Sequence, residues 1–250
     1  MANISFQLYS FRNFPPLSDT PKMVSELRFM AVEYYSGMMS DSLDSAALKI
    51  APDKNNLIMP TYHIGLDQIQ ESPNSIISLA RELGVENIYV PAVPESEKNQ
   101  SSAGWTALGN ALEVAAKPLL DAKLQVGWHN HPFEFATTDS NELPLDLILG
   151  AAKSLTWELD IVWAVIGDQD AMATINKSAE RLSAAHIKDL ASSEVRSIGN
   201  VVARSTHVMA HAKEHWHANP DFPHHSGAEP VLDIGPYYIT YLVQLLRPMS

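Results

Sequence analysis

Short apolar runs alternate with longer amphipathic segments along most of the chain. The apolar runs predict strands over residues 4–9, 31–35, 56–64, 86–93, 124–130, 155–162 and 182–189. Between them, apolar residues recur at helical spacing, as in SPNSIISLARELG (72–84), whose last glycine is typical of a helix C-terminus. In GWTALGNALEVAAKPLLDAK (104–123), Pro118 predicts a helix that is kinked or split. The pattern therefore indicates roughly seven βα units in series.

Serial βα units of this kind favour a parallel sheet covered by helices, because few of the short turn sequences typical of β-hairpins lie between the strands. No glycine-rich dinucleotide fingerprint follows the first strand, and polar groups recur at the ends of several different strands. Both features favour an α/β fold of the TIM (β/α)8-barrel type over an open doubly wound sheet. In a barrel, the C-terminal ends of all strands meet at one mouth, so we expect the functional groups there.

Composition and charge exclude several classes of partner. A chain of 250 residues that is 46% hydrophobic can bury the core of one large domain. With 17 Lys+Arg against 29 Asp+Glu, the formal charge is -12, so we expect no nucleic acid partner. The chain has no cysteine, no leader-like N-terminal pattern and no apolar stretch of membrane-spanning length. We therefore expect a cytoplasmic protein with no membrane contact.

Acidic and histidine side chains recur at the predicted strand ends. They are Glu33 in the second strand, His63 in the third, His129, His131 and Glu134 in WHNHPFEFA (128–136) after the fifth, Glu158 and Asp160 in the sixth, and His186 and Lys188 in the seventh. Strand alternation places Glu158 and Asp160 on one face, and likewise His186 with Lys188. Carboxylates and imidazoles brought together at a barrel mouth would hold a divalent ion such as Mn, Mg, Co or Zn.

Each of these side chains also has a purely structural interpretation. The role of a histidine at a strand end can be limited to structural hydrogen bonding, and Glu33 can simply be a charged residue at a sheet edge. An acidic residue within the apolar run TWELDIVWAV (156–165), however, is costly to bury unless it is paired or bound to metal. That cost favours a site role for Asp160.

Six stretches together resemble one known family. In order and spacing, ISFQLYSFR, AVEYYSG, TYHIGLD, WHNHPFEF, WELDIVWA and AAHIKD are similar to the sugar phosphate isomerase/epimerase group of xylose isomerase-like TIM barrels, whose relatives include inosose dehydratases. The resemblance spans residues 3–190. It implies a divalent metal held by Glu134, Asp160 and His186, with His129 or His131 as alternatives to Glu134.

The reaction that this resemblance implies is proton transfer next to a carbonyl group. The metal would polarise the carbonyl and stabilise an enediolate while side chains move the proton. The implied catalytic residues are Glu134, His63 and Lys188, and the implied substrate-binding residues are His129, His131, Glu33 and Trp163. The predicted function is a metal-dependent isomerase or epimerase of a sugar or sugar phosphate, and a lyase that dehydrates an inosose-like cyclic polyol is an alternative.

The pattern changes after residue 190. The family would continue with an eighth strand bearing a fourth glutamate ligand within a Gly-Glu-Gly type stretch, and no such stretch follows. Residues 207–250 instead resemble a fragment of the C-terminal domain of Gfo/Idh/MocA oxidoreductases, through WHANPDF (216–222) and GAEPVLDIGPYY (227–238). No nicotinamide-binding motif accompanies that fragment, so it implies no redox role.

This change predicts two parts, a barrel over residues 1–190 and an atypical segment over 191–250 that packs on the barrel or completes it. The eighth unit of the barrel is then atypical or incomplete. If the fourth ligand is missing, the alternative is a catalytically impaired remnant. An uncovered parallel edge also predicts a homo-oligomer.

Overall fold

The computed structural model describes residues 5–11, 20–38, 52–98 and 100–187. The strands in these ranges are β1 Ser5–Gln7, β2 Ala31–Tyr35, β3 Ile58–His63, β4 Asn87–Val90, β5 Gln125–His129, β6 Thr156–Asp160 and β7 Leu182–His186. The helices are α1 Thr20–Glu26, α2 Leu66–Glu71, α3 Pro73–Leu83, α4 Ser102–Asp121, α5 Pro144–Ala151, α6 Ile161–Ile166 and α7 Ala171–Lys177. All seven predicted strands are confirmed. Lys188, the segment 191–250 and the predicted domain division lie outside the described residues.

The seven strands form one parallel sheet in chain order, from β1 to β7. In a flat sheet β2 and β7 would lie about 24 Å apart, because neighbouring strands are roughly 4.8 Å apart. Yet Nε2 of His186 on β7 is 2.7 Å from Oε1 of Glu33 on β2. The sheet must therefore curl so that its inner face closes on itself, which confirms the predicted α/β fold of TIM-barrel type.

The helices cover the outer face of this curled sheet and bury an apolar core between the two layers. Trp105 on α4 and Ile148 on α5 belong to this core together with Trp128 and Trp157 of β5 and β6. The helices α4 and α5 approach each other closely at Gly109, where a Cβ atom would lie 2.5 Å from the carbonyl oxygen of Ile148. The tight helix packing on this side of the sheet therefore requires glycine at position 109.

Two helix predictions can be compared with the structure. Gly84 has a φ of 75° and ends α3 in the left-handed conformation, as predicted. The predicted alternative of a split at Pro118 is wrong, because α4 runs unbroken from Ser102 to Asp121. Pro118 lies in the last turn, and the hydrogen bond it omits would use the carbonyl of Val114. Since the Val114 side chain is 75% exposed, water can reach that side of the helix.

The described helices were also compared with the requirements for crossing a bilayer. Within the described ranges, none combines the length and the apolar character that a membrane span needs.

Candidate functional site

Three histidines and one glutamate converge inside the curled sheet, at or near the C-terminal ends of four strands. They are His63, His129, Glu158 and His186, and one donor atom of each lies within 4.8 Å of the others. All four side chains are buried. Imidazole nitrogen and carboxylate oxygen are ligands of borderline divalent ions, so this cluster could hold a metal ion.

Glu158 is the residue that joins the three histidines. Its Oε2 atom is 2.6 Å from Nε2 of His63 and 2.9 Å from Nδ1 of His129. Its Oε1 atom is 3.4 Å from Nε2 of His186. Glu158 pairs with His129 in the register of β5 and β6, which places both side chains at the same height on the inner face.

Glu33 extends the cluster to the second strand. Its Oε1 atom is 2.7 Å from Nε2 of His186 and 3.3 Å from Nε2 of His63. Gln7, its register partner on β1, donates a 2.6 Å hydrogen bond from Nε2 to the same oxygen. Glu33 is 3% exposed, so the interpretation of this residue as a simple sheet-edge charge is wrong.

Asp160 faces His129 and His186 from the mouth side. Its Oδ1 atom accepts a 3.1 Å hydrogen bond from the backbone N–H of Trp163 and so caps α6. Its Oδ2 atom is 3.8 Å from Nε2 of His129 and 3.8 Å from Nδ1 of His186. These separations exceed a hydrogen bond, but they approach the ~3.4 Å expected between two tetrahedral ligands of one ion.

Asn130 holds the end of β6 in place. Its Oδ1 atom accepts hydrogen bonds from the backbone N–H of Asp160 at 2.9 Å and from Nε1 of Trp157 at 3.0 Å. Its Nδ2 donates to the carbonyl of Asp160 at 3.1 Å. Because Asn130 is fully buried, these bonds are shielded from water, and they fix the position from which the Asp160 side chain starts.

The electrostatics of the cluster follow from burial and from the neighbouring charges. Burial lowers the pKa of His129 well below its usual value, and the nearby His186 and His63 lower it further. Burial alone would also lower the pKa of His186, but the carboxylates of Glu158 and Glu33 raise it well above its usual value. Burial alone would raise the pKa of Glu158, yet His186 and His63 lower it. Glu158 therefore keeps its negative charge.

Glu134 lies apart from the cluster. Its Oε1 atom accepts from Nε1 of Trp128 at 3.1 Å, and its Oε2 atom accepts from the backbone N–H of His131 at 2.8 Å. These bonds hold the 3-10 turn Pro132–Phe135 that follows β5. Burial raises the pKa of Glu134 to about 8. The metal-binding and catalytic roles implied for Glu134 stay predictions.

Two further residues that the sequence assigns to the substrate lie beside the cluster. The His131 ring is stacked between Phe133, at 5.8 Å between ring centroids, and Trp163, at 6.0 Å. It also meets the His129 ring edge-on at 5.2 Å. His131 and Trp163 are both only partly buried, so they form an accessible aromatic margin next to the buried histidines.

The structure thus brings together Glu33, His63, His129, Asp160 and His186 from the predicted set. Glu158 was among the strand-end candidates, on the same face as Asp160, but no individual role was predicted for it. Gln7 and Asn130 were not among the candidates. The missing signal was strand register, which decides that Glu158 meets His129 and that Gln7 meets Glu33.

Comparisons with solved structures identify the fold. The chain is similar to a sugar phosphate isomerase/epimerase from Parabacteroides distasonis ATCC 8503, with a TM-score of 0.65, 20% identity and coverage of 75% of each chain. It is also similar to a xylose isomerase domain protein from Alicyclobacillus acidocaldarius, with a TM-score of 0.59, 12% identity and coverage of 79% of this chain and 76% of that chain. The chain has the α/β TIM-type barrel fold of these structures.

A third structure with a similar fold is named for a different reaction. It is the probable 3-DHS dehydratase involved in petrobactin synthesis from Bacillus anthracis, with a TM-score of 0.61, 15% identity and coverage of 82% of each chain. No family model and no curated protein sequence matches the chain. The comparisons therefore establish the fold, and the resemblance of residues 207–250 to an oxidoreductase fragment stays a prediction.

Proposed function

We propose that this protein is a divalent-metal-dependent isomerase or epimerase that acts on a sugar or sugar phosphate by proton transfer beside a carbonyl group. The observation that carries the proposal is the convergence of His63, His129, Glu158 and His186 at the mouth of the curled sheet. A solved sugar phosphate isomerase/epimerase with the same fold supports it. Because one fold hosts many reactions, the argument rests on the site.

The residues present fit a divalent ion. The cluster supplies three imidazoles and the carboxylate of Glu158, and Asp160 presents a carboxylate oxygen to His129 and His186. This mixture of nitrogen and oxygen donors favours Mn²⁺, Co²⁺ or Zn²⁺ over Mg²⁺. When bound, the ion would polarise the substrate carbonyl and make the neighbouring C–H group more acidic.

The side chains of the cluster would move the proton. With the ion held by His129, His186 and Asp160, the buried pair of Glu158 and His63, joined by a 2.6 Å contact, can accept a proton from one carbon and return it to the next. One such pair suffices for isomerisation, whereas epimerisation needs a second donor on the opposite face of the substrate.

The surroundings of the cluster suit a small polyol substrate. Burial of the histidines keeps bulk water away from the reacting carbons, which limits the loss of a transferred proton. His131 and Trp163 would contact the C–H face of a sugar through their rings. The proposed substrate-facing role of Lys188 stays a prediction, because this residue lies outside the described residues.

A lyase is the second candidate function. The similarity of the fold to that of a probable 3-DHS dehydratase supports it. The same proton abstraction, followed by departure of a hydroxyl group from the next carbon, would yield a dehydrated product. Mass spectrometry of products from keto sugars and inososes separates the two functions, since only the lyase gives a product that is lighter by one water.

The first experiment compares thermal unfolding with and without Mn²⁺ for the wild type, Asp160→Ala and His186→Ala, together with metal content. We expect Mn²⁺ to stabilise the wild type by about 2.7 kcal/mol at a concentration of ~100 times Kd. Both alanine variants should lose this stabilisation. Glu134→Gln is the matched control, because this buried carboxylate lies apart from the cluster.

The outcomes separate the competing assignments. Loss of the Mn²⁺ response in Glu134→Gln would contradict the placement of Glu134 outside the metal site and support the ligand set implied by the family resemblance. If the wild type neither contains metal nor responds to it, the enzyme proposal is wrong and the alternative of a catalytically impaired remnant replaces it.

A further inference from the structure

We infer that Glu33, held in place by Gln7, is a positioning residue that orients His186 for the metal ion, so that the site extends onto the first two strands. This inference rests on the proposed function, because it assigns a role relative to the proposed ion. It concerns a carboxylate that lies outside the four-residue donor cluster.

The two ring nitrogens of His186 face different carboxylates. Nε2 is 2.7 Å from Oε1 of Glu33 and 3.4 Å from Oε1 of Glu158, whereas Nδ1 is 3.8 Å from Oδ2 of Asp160. A histidine that binds a metal through one ring nitrogen usually donates the N–H of the other nitrogen to a carboxylate or carbonyl. The contact with Glu33 therefore leaves Nδ1 as the atom that His186 presents toward Asp160 and an ion.

His129 has the same arrangement, which supports this interpretation independently. Its Nδ1 atom is 2.9 Å from Oε2 of Glu158, and its Nε2 atom is 3.8 Å from the same Asp160 oxygen. Each of the two histidines thus contacts a deeply placed glutamate through one nitrogen and faces Asp160 with the other. By this geometry, Glu33 orients His186 as Glu158 orients His129.

Gln7 determines which way Glu33 points. The Oε1 atom of Gln7 accepts a 2.9 Å hydrogen bond from the backbone N–H of Tyr9, so the amide NH₂ group must face the other way. That group donates to Oε1 of Glu33, the oxygen that contacts His186. Because Gln7 and Glu33 are both buried, these short bonds hold the carboxylate in one orientation.

The test is a Co²⁺ titration of the folded protein. Calorimetry gives the Kd, and the visible absorption of the ion reports its ligands. We expect Glu33→Gln to raise the Kd for Co²⁺ by about 10- to 100-fold, the usual effect of losing a hydrogen-bond partner of a ligating histidine. The absorption bands should keep their positions, because the ligands themselves are unchanged. Glu113→Gln on the outer helix α4, where Glu113 contacts the backbone N–H of Ser154, is the matched control with an unchanged Kd.

Gln7→Met tests the same chain of contacts without removing a charge. Methionine has a similar length but cannot donate, so we expect a smaller rise in the Kd for Co²⁺ in the same direction. On a Glu33→Met background the Gln7 substitution should change Kd by less than about twofold, because Gln7 acts through Glu33. The single variant Gln7→Met also keeps the inference testable if Glu33→Gln does not fold.

Three results would overturn the inference. A Kd for Glu33→Gln within about twofold of the wild type, with a lower unfolding temperature, would show that Glu33 only stabilises the fold. Shifted absorption bands in Glu33→Gln would show that Glu33 is itself a ligand. A wild type that does not bind Co²⁺ would instead remove the proposed function together with the inference.

Discussion

At the scale of single residues, Glu134 and Glu158 show how neighbouring groups decide the charge of a buried carboxylate. Both side chains are at most 1% exposed. Glu134 accepts from an indole and a backbone N–H, which are neutral, and burial raises its pKa to about 8. Glu158 contacts His63, His129 and His186, and the first and last of these lower its pKa. Of these two carboxylates, Glu158 is therefore the one that keeps its negative charge beside the histidines.

The raised pKa of Glu134 predicts a pH-dependent stability. Its protonated form stabilises the native state below the ordinary value of about 4.5, and this contribution is lost as pH rises through about 8. For a shift of this size the loss amounts to roughly 5 kcal/mol. The glutamine in Glu134→Gln cannot ionise, so the variant lacks this loss. As pH rises between these values, the free energy of unfolding of the wild type should therefore fall relative to that of the variant.

Urea unfolding of the wild type and Glu134→Gln, measured from pH 5 to pH 9, checks this prediction. The amide NH₂ group donates at a position where a carboxylate oxygen accepted. We therefore expect a constant difference in the free energy of unfolding between the two proteins, in addition to a different dependence on pH. Parallel stability curves over the whole range would show that the carboxyl group of Glu134 titrates normally.

Part of the site could be predicted from residue types alone, and part could not. His63, Asp160 and His186 stood out because ionisable residues at the ends of apolar strands are costly unless they are used. Gln7 and Asn130 gave no such signal, because an uncharged amide near a strand end is common. Their roles depend on which strands are neighbours and in what register, and that is a property of the folded sheet.

At the scale of elements, the packing of α4 against α5 depends on one missing side chain. A Cβ atom at position 109 would lie 2.5 Å from the carbonyl oxygen of Ile148 and 2.7 Å from Cβ of Ala151. Alanine is a better helix former than glycine by about 1 kcal/mol, so intrinsic propensity and packing have opposite effects here. Which effect dominates can be measured directly.

We expect Gly109→Ala to destabilise the protein by about 1–3 kcal/mol, because backbone atoms of α5 cannot move away without opening the core. Gly150→Ala is the matched control, since a Cβ atom there meets nothing within 4 Å and should be neutral or stabilising. Urea unfolding of both variants measures the difference. A stabilised Gly109→Ala would show that the two helices separate easily.

The elements themselves were more predictable than their ends. Apolar runs with helical segments between them identified all seven strands, and Gly84 identified the end of α3. The strand β4 is shorter than its predicted run because Pro91 reads as part of an apolar stretch but cannot continue the ladder of hydrogen bonds. The unbroken α4 shows in turn that a proline in the last turn of a helix does little harm.

At the scale of the whole molecule, the order of strands leaves two edges in the part of the chain that the structure describes. There, β1 pairs with β2 and β7 pairs with β6. An exposed parallel edge offers unpaired backbone groups to another chain. We therefore expect a dimer or a larger oligomer, which light scattering during size exclusion chromatography measures as a mass of at least twice that of one chain. A monomeric mass would show that the edges are covered within one chain.

The contact between His186 and Glu33 has a kinetic consequence. The two residues are 153 positions apart in the chain, and they meet only when the sheet has curled from its second strand to its seventh. Contacts of such long range form late, because closing a large loop costs entropy before it brings any gain. The affinity for the proposed ion would then appear only in chains whose sheet has finished curling, and bound ion would stabilise the folded over the unfolded chain.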